Sequence, residues 1–196
     1  DRALELDDRN VVALVARAKL VVKKADALVA TGAVVDRTFR EAVGKWFDPQ
    51  ALLEVWAIAK CLREGDPSWQ GSPTDPLTRV LKMALSSILV KASRQVSDSV
   101  AKLDKRDLEA TPKGRVGHWF KKRTEELAGQ LDEFAATVGR SVPEPHLVLG
   151  DARTPPEGRP AFAAIISSPP YPGVYDYLTH HALRCAVLGL PVGDAT

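Results

Sequence analysis

The sequence predicts an α/β chain that is mostly helical, with short strands near both ends and a large helical block between them. Three observations carry this prediction. Apolar residues recur every three or four positions through the middle of the chain, the spacing of amphipathic helices. Residues 162–167 are apolar on both faces, which suits a central strand of a parallel sheet. Clusters of Gly, Pro, Ser and Asp punctuate the chain between these segments.

Taken in order, residues 3–6 read as the end of a strand. Asp7 or Asp8 can cap the helix that follows. Its apolar face is Val11, Leu14, Val15, Ala18, Val22, Ala25 and Val29, and Thr31-Gly32 ends it. Asp48-Pro49 starts a second helix, with Leu52, Val55, Trp56, Ala59 and Leu62 on one face. Residues 65–76 read as a loop. The most regular helix follows, on Leu77, Val80, Leu81, Ala84, Leu85, Ile88, Leu89 and Ala92. A long helix is expected over about 116–138, with Trp119, Phe120, Leu127, Leu131, Phe134 and Ala135 facing inward. Residues 146–151 then read as a short strand ending in Gly150-Asp151, residues 154–160 as a loop, 162–167 as the second strand, and 175–190 as a helix.

Composition excludes several classes. Lys and Arg number 27 against 25 Asp and Glu, a net charge of +2, so overall charge names no partner. The only cysteines, Cys61 and Cys185, lie far apart and in no ligand-like spacing. That argues against a disulfide framework or a zinc site and fits a reducing, cytoplasmic setting. No apolar run approaches membrane-span length and no signal-peptide pattern is present, so no membrane partner is expected. Residue 1 is Asp and the only methionine is Met83; the chain reads as an internal piece of a longer protein.

The most specific motif is Ser168-Pro169-Pro170-Tyr171, reached directly from the apolar run Ala164-Ile165-Ile166-Ser167. Two successive prolines offer no backbone N–H and fix φ, so the exit is stiff and extended and sets the position of an aromatic ring. The run continues as Pro172-Gly173-Val174-Tyr175-Asp176-Tyr177. This stretch resembles the catalytic motif of the DNA amino-methyltransferases, which methylate cytosine N4 or adenine N6 using S-adenosylmethionine. The resemblance implies a partial Rossmann-like methyltransferase core of parallel strands, interrupted by a large helical insertion. Residues 1–30 would belong to that core (second strand and following helix), 31–143 would be the insertion and a possible target-recognition region, and 144–196 would carry the catalytic motif.

The resemblance also implies roles. Ser168 and the carbonyl of Pro169 would accept from the exocyclic N–H groups, Pro170 would stiffen the turn, and Tyr171 would stack on a base flipped from the duplex. Tyr175, Asp176 and Tyr177 lie close enough in sequence to line the base pocket; Asp176 can bond a base edge or cap the helix. Asp151 matches the acidic residue near the cofactor adenine. Glu5 matches the ribose-binding residue, an assignment that can shift to Asp7. The family's glycine-rich cofactor loop has no match in residues 1–196 and would lie upstream or, in a permuted member, downstream. No metal is required by this chemistry.

The stretch 102–123 is basic: Lys102, Lys105, Arg106, Lys113, Arg115, Lys121, Lys122 and Arg123, opposed by Asp104, Asp107 and Glu109. Such residues neutralise phosphates, and with Ser93, Arg94, Gln95 and Ser97 just before them they form a candidate DNA contact, centred on Arg94, Lys121, Lys122 and Arg123. An RNA or small-molecule methyltransferase, and a non-catalytic helical nucleic-acid-binding module, are the alternative readings.

Overall fold

The computed structural model describes residues 8–65, 75–97, 100–104, 109–138, 150–151, 164–169 and 177–190. Helix α1 spans Asp8–Ala30, α2 Arg37–Val43, α3 Pro49–Glu64, α4 Pro76–Ala92, α5 Arg115–Val138 and α6 Tyr177–Leu188. A single 3₁₀ turn, Gly44–Trp46, joins α2 to α3. Strands β1 (Gln95–Ser97) and β2 (Val100–Leu103) form an antiparallel hairpin between α4 and α5.

The helices start where local chemistry permits. Asp48 precedes Pro49 at the start of α3, and its Oδ1 accepts from the N–H groups of Gln50 and Ala51, each at 3.0 Å. Asp75 precedes Pro76 and accepts from the N–H groups of Leu77 (3.3 Å) and Thr78 (3.2 Å). Proline at the first helical position loses nothing there, because that N–H has no intrahelical acceptor. Helix α1 packs on α5, α3 and α4, and α4 also packs on α5. The faces anticipated for α1, α3 and α4 meet in one core: Leu14, Ala18, Val22, Val55, Leu62, Leu81, Leu85 and Leu89 are all buried. Gly117 of α5 sits where α1 crosses; a Cβ there would lie 3.1 Å from Val22 Cγ1, so a larger residue would require Val22 to give by a few tenths of an ångström.

Helix α6 joins this block. Leu183, Val187 and Leu188 are buried, and the helix packs on α2, α4 and β2. Arg184 Nη1 donates to the carbonyl of Ser86 on α4 at 2.7 Å. The segment that follows the Ser-Pro-Pro-Tyr motif is therefore seated on the helical block.

The structure departs from the sequence reading in three places: the sheet, the segment before the motif and the inward face of α5. The described residues are mostly helical, as expected, but their only sheet is the antiparallel hairpin and not a set of parallel strands. The expected strands at 3–6 and 146–149 lie outside the described residues. Residues 164–167, expected as a buried parallel strand, are irregular and exposed, with Ile165 at 84% and Ile166 at 99% exposure. A strand exists only through a ladder, and no described strand lies beside this segment to complete one. Phe134, expected inward, is 58% exposed; full burial along α5 stops at Ala128, and Leu131 is only partly buried against the core.

Acid should loosen this bundle at its caps. Burial alone would raise the Asp48 carboxyl, but the Thr111 hydroxyl and the backbone N–H groups outweigh it and hold the group below its ordinary value. Asp75 is likewise pushed up by burial and held down more strongly by the Thr78 hydroxyl, the Arg17 charge and the Thr78 and Leu77 amides. Below the ordinary carboxyl range, near about 3.9, the unfolded chain binds protons that these folded carboxylates refuse. Their stabilisation is thus complete above that range and lost as pH falls through the lowered folded values. Urea midpoints should fall steeply below about pH 4, and Asp48→Asn with Asp75→Asn should flatten that slope. An unchanged slope in the double variant would rule the caps out as its source.

Candidate functional site

The candidate residues fall into two groups, the motif at the C-terminal end and the basic surface of the helical block. In the first, Ser168 and Pro169 are described and exposed, in an irregular segment. Pro170, Tyr171, Tyr175 and Asp176 lie outside the described residues. Tyr177 opens α6, which places the end of the motif at the first turn of a helix anchored through Leu183, Arg184 and Val187. Of the cofactor-side residues, Glu5 lies outside the described residues, and Asp151 is exposed.

A single exposed carboxylate does not make a cradle for an adenosine. Such a ligand needs a concave, mostly apolar site with a few convergent polar groups. Ser168, Pro169 and Asp151 all face solvent. The hollow lined by Val22, Ala25, Asp26, Val29, Glu54, Ile58 and Gly117 is a seam between α1, α3 and α5 with no room for a water molecule.

In the second group, Arg94 is exposed at the exit of α4. Its N–H donates to the Trp46 carbonyl at 2.6 Å, and its carbonyl accepts from the Asp104 N–H at 2.6 Å. Lys121, Lys122 and Arg123 are consecutive on α5, so they point about 100° apart and do not converge on one phosphate. Lys122 is exposed, while Lys121 and Arg123 are half-buried. Arg123 is tied to its surroundings: Nε donates to Ser87 Oγ and Nη1 to Glu126 Oε2, both at 3.2 Å. Gln95, read as a group free to reach DNA, is buried and donates to the Ser97 carbonyl at 2.8 Å. The Ser93 hydroxyl is engaged by the Val90 carbonyl and the Gln95 N–H.

The start of α5 carries several cations, yet two of the amides at that end are already taken. Glu54, 4% exposed on α3, accepts from Gly114 N–H (2.6 Å) and Val116 N–H (2.9 Å) through separate oxygens. Gln50 Nε2 also donates to it, at 2.7 Å. A carboxylate suits these orphan donors and the positive end of the helix dipole. Gly114 turns into the helix at φ +78°, a conformation that favours glycine. Glu54 thus fills the position that a phosphate would take at this helix end. Sequence reading did not single it out; its one signal is a carboxylate set among the apolar positions of α3.

Two lysines of the same bundle end lie over indole rings. Lys91 Nζ is 4.9 Å from the Trp119 ring centre, and Lys45 Nζ is 5.3 Å from that of Trp46. Trp119, expected as a core residue, is half-buried beneath that lysine. No group of His, Cys, Asp and Glu among the described residues is arranged to hold a metal ion, and none of their helices is long and apolar enough to cross a membrane. Neither family models, nor curated proteins, nor solved structures provide a match to this chain.

Proposed function

We propose that the chain carries the catalytic motif of an S-adenosylmethionine-dependent DNA amino-methyltransferase acting on cytosine N4 or adenine N6. One observation carries this reading: the unbroken run from Ser168 to Tyr177, Ser-Pro-Pro-Tyr-Pro-Gly-Val-Tyr-Asp-Tyr, directly after an apolar segment. The bound donor would supply the methyl group. This chain's own residues would orient the acceptor. The Ser168 hydroxyl oxygen and the Pro169 carbonyl would accept from the N–H groups of the target amine. That holds the nitrogen lone pair in line and lets a proton leave as the nitrogen becomes tetrahedral. Orientation of this kind can supply several kcal/mol of the barrier reduction. Tyr171 would stack on the flipped base, and the seating of α6 on α4 would give the motif a rigid support.

Transfer of labelled methyl groups from S-adenosylmethionine by the full-length protein tests the reading, with duplex DNA and structured RNA offered side by side. Incorporation into the exocyclic amine of DNA is the expected result. Incorporation into RNA alone would reassign the substrate. DNA binding with no transfer to either would favour a helical nucleic-acid-binding module.

A further inference from the structure

We infer that the end of the bundle formed by Lys45, Trp46, Lys91, Arg94 and Trp119 is a docking surface for the phosphate backbone of duplex DNA. The inference deepens the reading above and rests on it for the choice of duplex DNA.

The surface is contiguous through the chain. Lys91 lies in the last turn of α4, over Trp119 on α5. Three residues on, the Arg94 N–H bonds the carbonyl of Trp46, whose ring carries Lys45. Two lysine–tryptophan pairs are thereby joined across the exit of α4, with an exposed arginine between them.

Two carboxylates of neighbouring segments are turned to structural tasks. Asp48 is occupied by the amides of Gln50 and Ala51 and by the Thr111 hydroxyl at 2.6 Å. Glu54 is buried against Gly114 and Val116. Lys45, Lys91 and Arg94 are instead exposed. Other acidic side chains stand close in the chain: Glu41, four residues before Lys45 and paired with Arg37, and Asp104 and Glu109 on the hairpin end and the segment after it.

The indole rings set the character of the cations. A ring attracts an ammonium without neutralising it and limits its wandering. A lysine held this way presents full charge from a restricted position, so less conformational entropy is lost when a phosphate arrives. Three exposed cations on segments joined at the exit of α4 would suit a polyanion whose charges repeat every few ångströms. This differs from the cluster anticipated on α5, where Lys121, Lys122 and Arg123 diverge and Arg123 is paired with Glu126.

Titration of the full-length protein with a mixed-sequence DNA duplex, followed by tryptophan emission and by anisotropy of a labelled duplex, tests the inference without requiring methyl transfer. Lys45→Gln with Lys91→Gln should weaken binding about tenfold and lower the salt slope by about two, roughly one per lost phosphate contact. Lys45→Arg with Lys91→Arg should retain most of the affinity, and both pairs should keep the parental urea midpoint. Binding with unchanged affinity and slope in the glutamine pair would overturn this surface and leave the methyltransferase reading standing. Absence of duplex binding by the parent would overturn both. Tighter binding of double-stranded RNA than of DNA would overturn the choice of DNA.

Discussion

Replacing Glu54 by alanine is expected to lower the unfolding free energy by about 3 kcal/mol. The magnitude follows from what the carboxylate holds. Val116 is fully buried, so its N–H, which donates to Glu54 Oε2 at 2.9 Å, has no solvent to turn to. An unsatisfied buried donor costs about 1–3 kcal/mol. Gly114 is exposed and can rehydrate its N–H, so its share is smaller. The truncation also leaves a void between α3 and α5 and removes a negative charge from the positive end of α5. Glu54→Gln keeps the volume but sets an NH₂ group against one of two N–H donors, and should fall between the parent and alanine. Urea unfolding followed by far-ultraviolet circular dichroism measures both. An alanine variant within about 0.5 kcal/mol of the parent, the range of an ordinary surface substitution, would refute the capping role.

Ser168→Ala and Tyr171→Ala should each reduce methyl transfer by the full-length protein at least about a hundredfold, the size of a lost positioned proton acceptor or stacking partner. Ser168 is exposed, so its truncation should leave the urea midpoint where it was. That contrast separates a chemical role from a structural one. A Ser168→Ala variant that unfolds early would show a packing role, and one that methylates at the parental rate would remove Ser168 from the acceptor pair. Asp151→Ala should act differently if Asp151 lies on the cofactor side. It should raise the concentration of S-adenosylmethionine needed for half-maximal rate and leave the rate at saturation nearly intact.

Much of the helical part was legible from residue order. The faces of α1, α3 and α4 follow a 3.6-residue repeat long enough to stand out. Their starts are marked by local chemistry, Asp48-Pro49 and Asp75-Pro76, which acts over two or three residues and needs no distant partner. Helix α6 was likewise expected close to where it lies. The short elements were not legible. Helix α2 has seven residues, fewer than three turns of repeat, and is held by the burial of Phe39 and Val43. The hairpin has only seven strand residues and rests on its contacts with α4 and α6.

Residue order alone determined the helical periodicity, the caps and the Ser168–Tyr177 motif, because each is written in residues adjacent or one turn apart. The tertiary structure alone decided which charges are free to act. Glu54 and Gly114 are separated by sixty positions, and no local pattern reveals that one caps the other. Arg123 and Ser87 meet only because α4 packs on α5. Lys91 becomes a surface cation over Trp119, and Gln95 an inward hydrogen-bonding group, by that same packing. Charge is a property of a residue, but its availability depends on burial and partners, which arise only when distant segments come together.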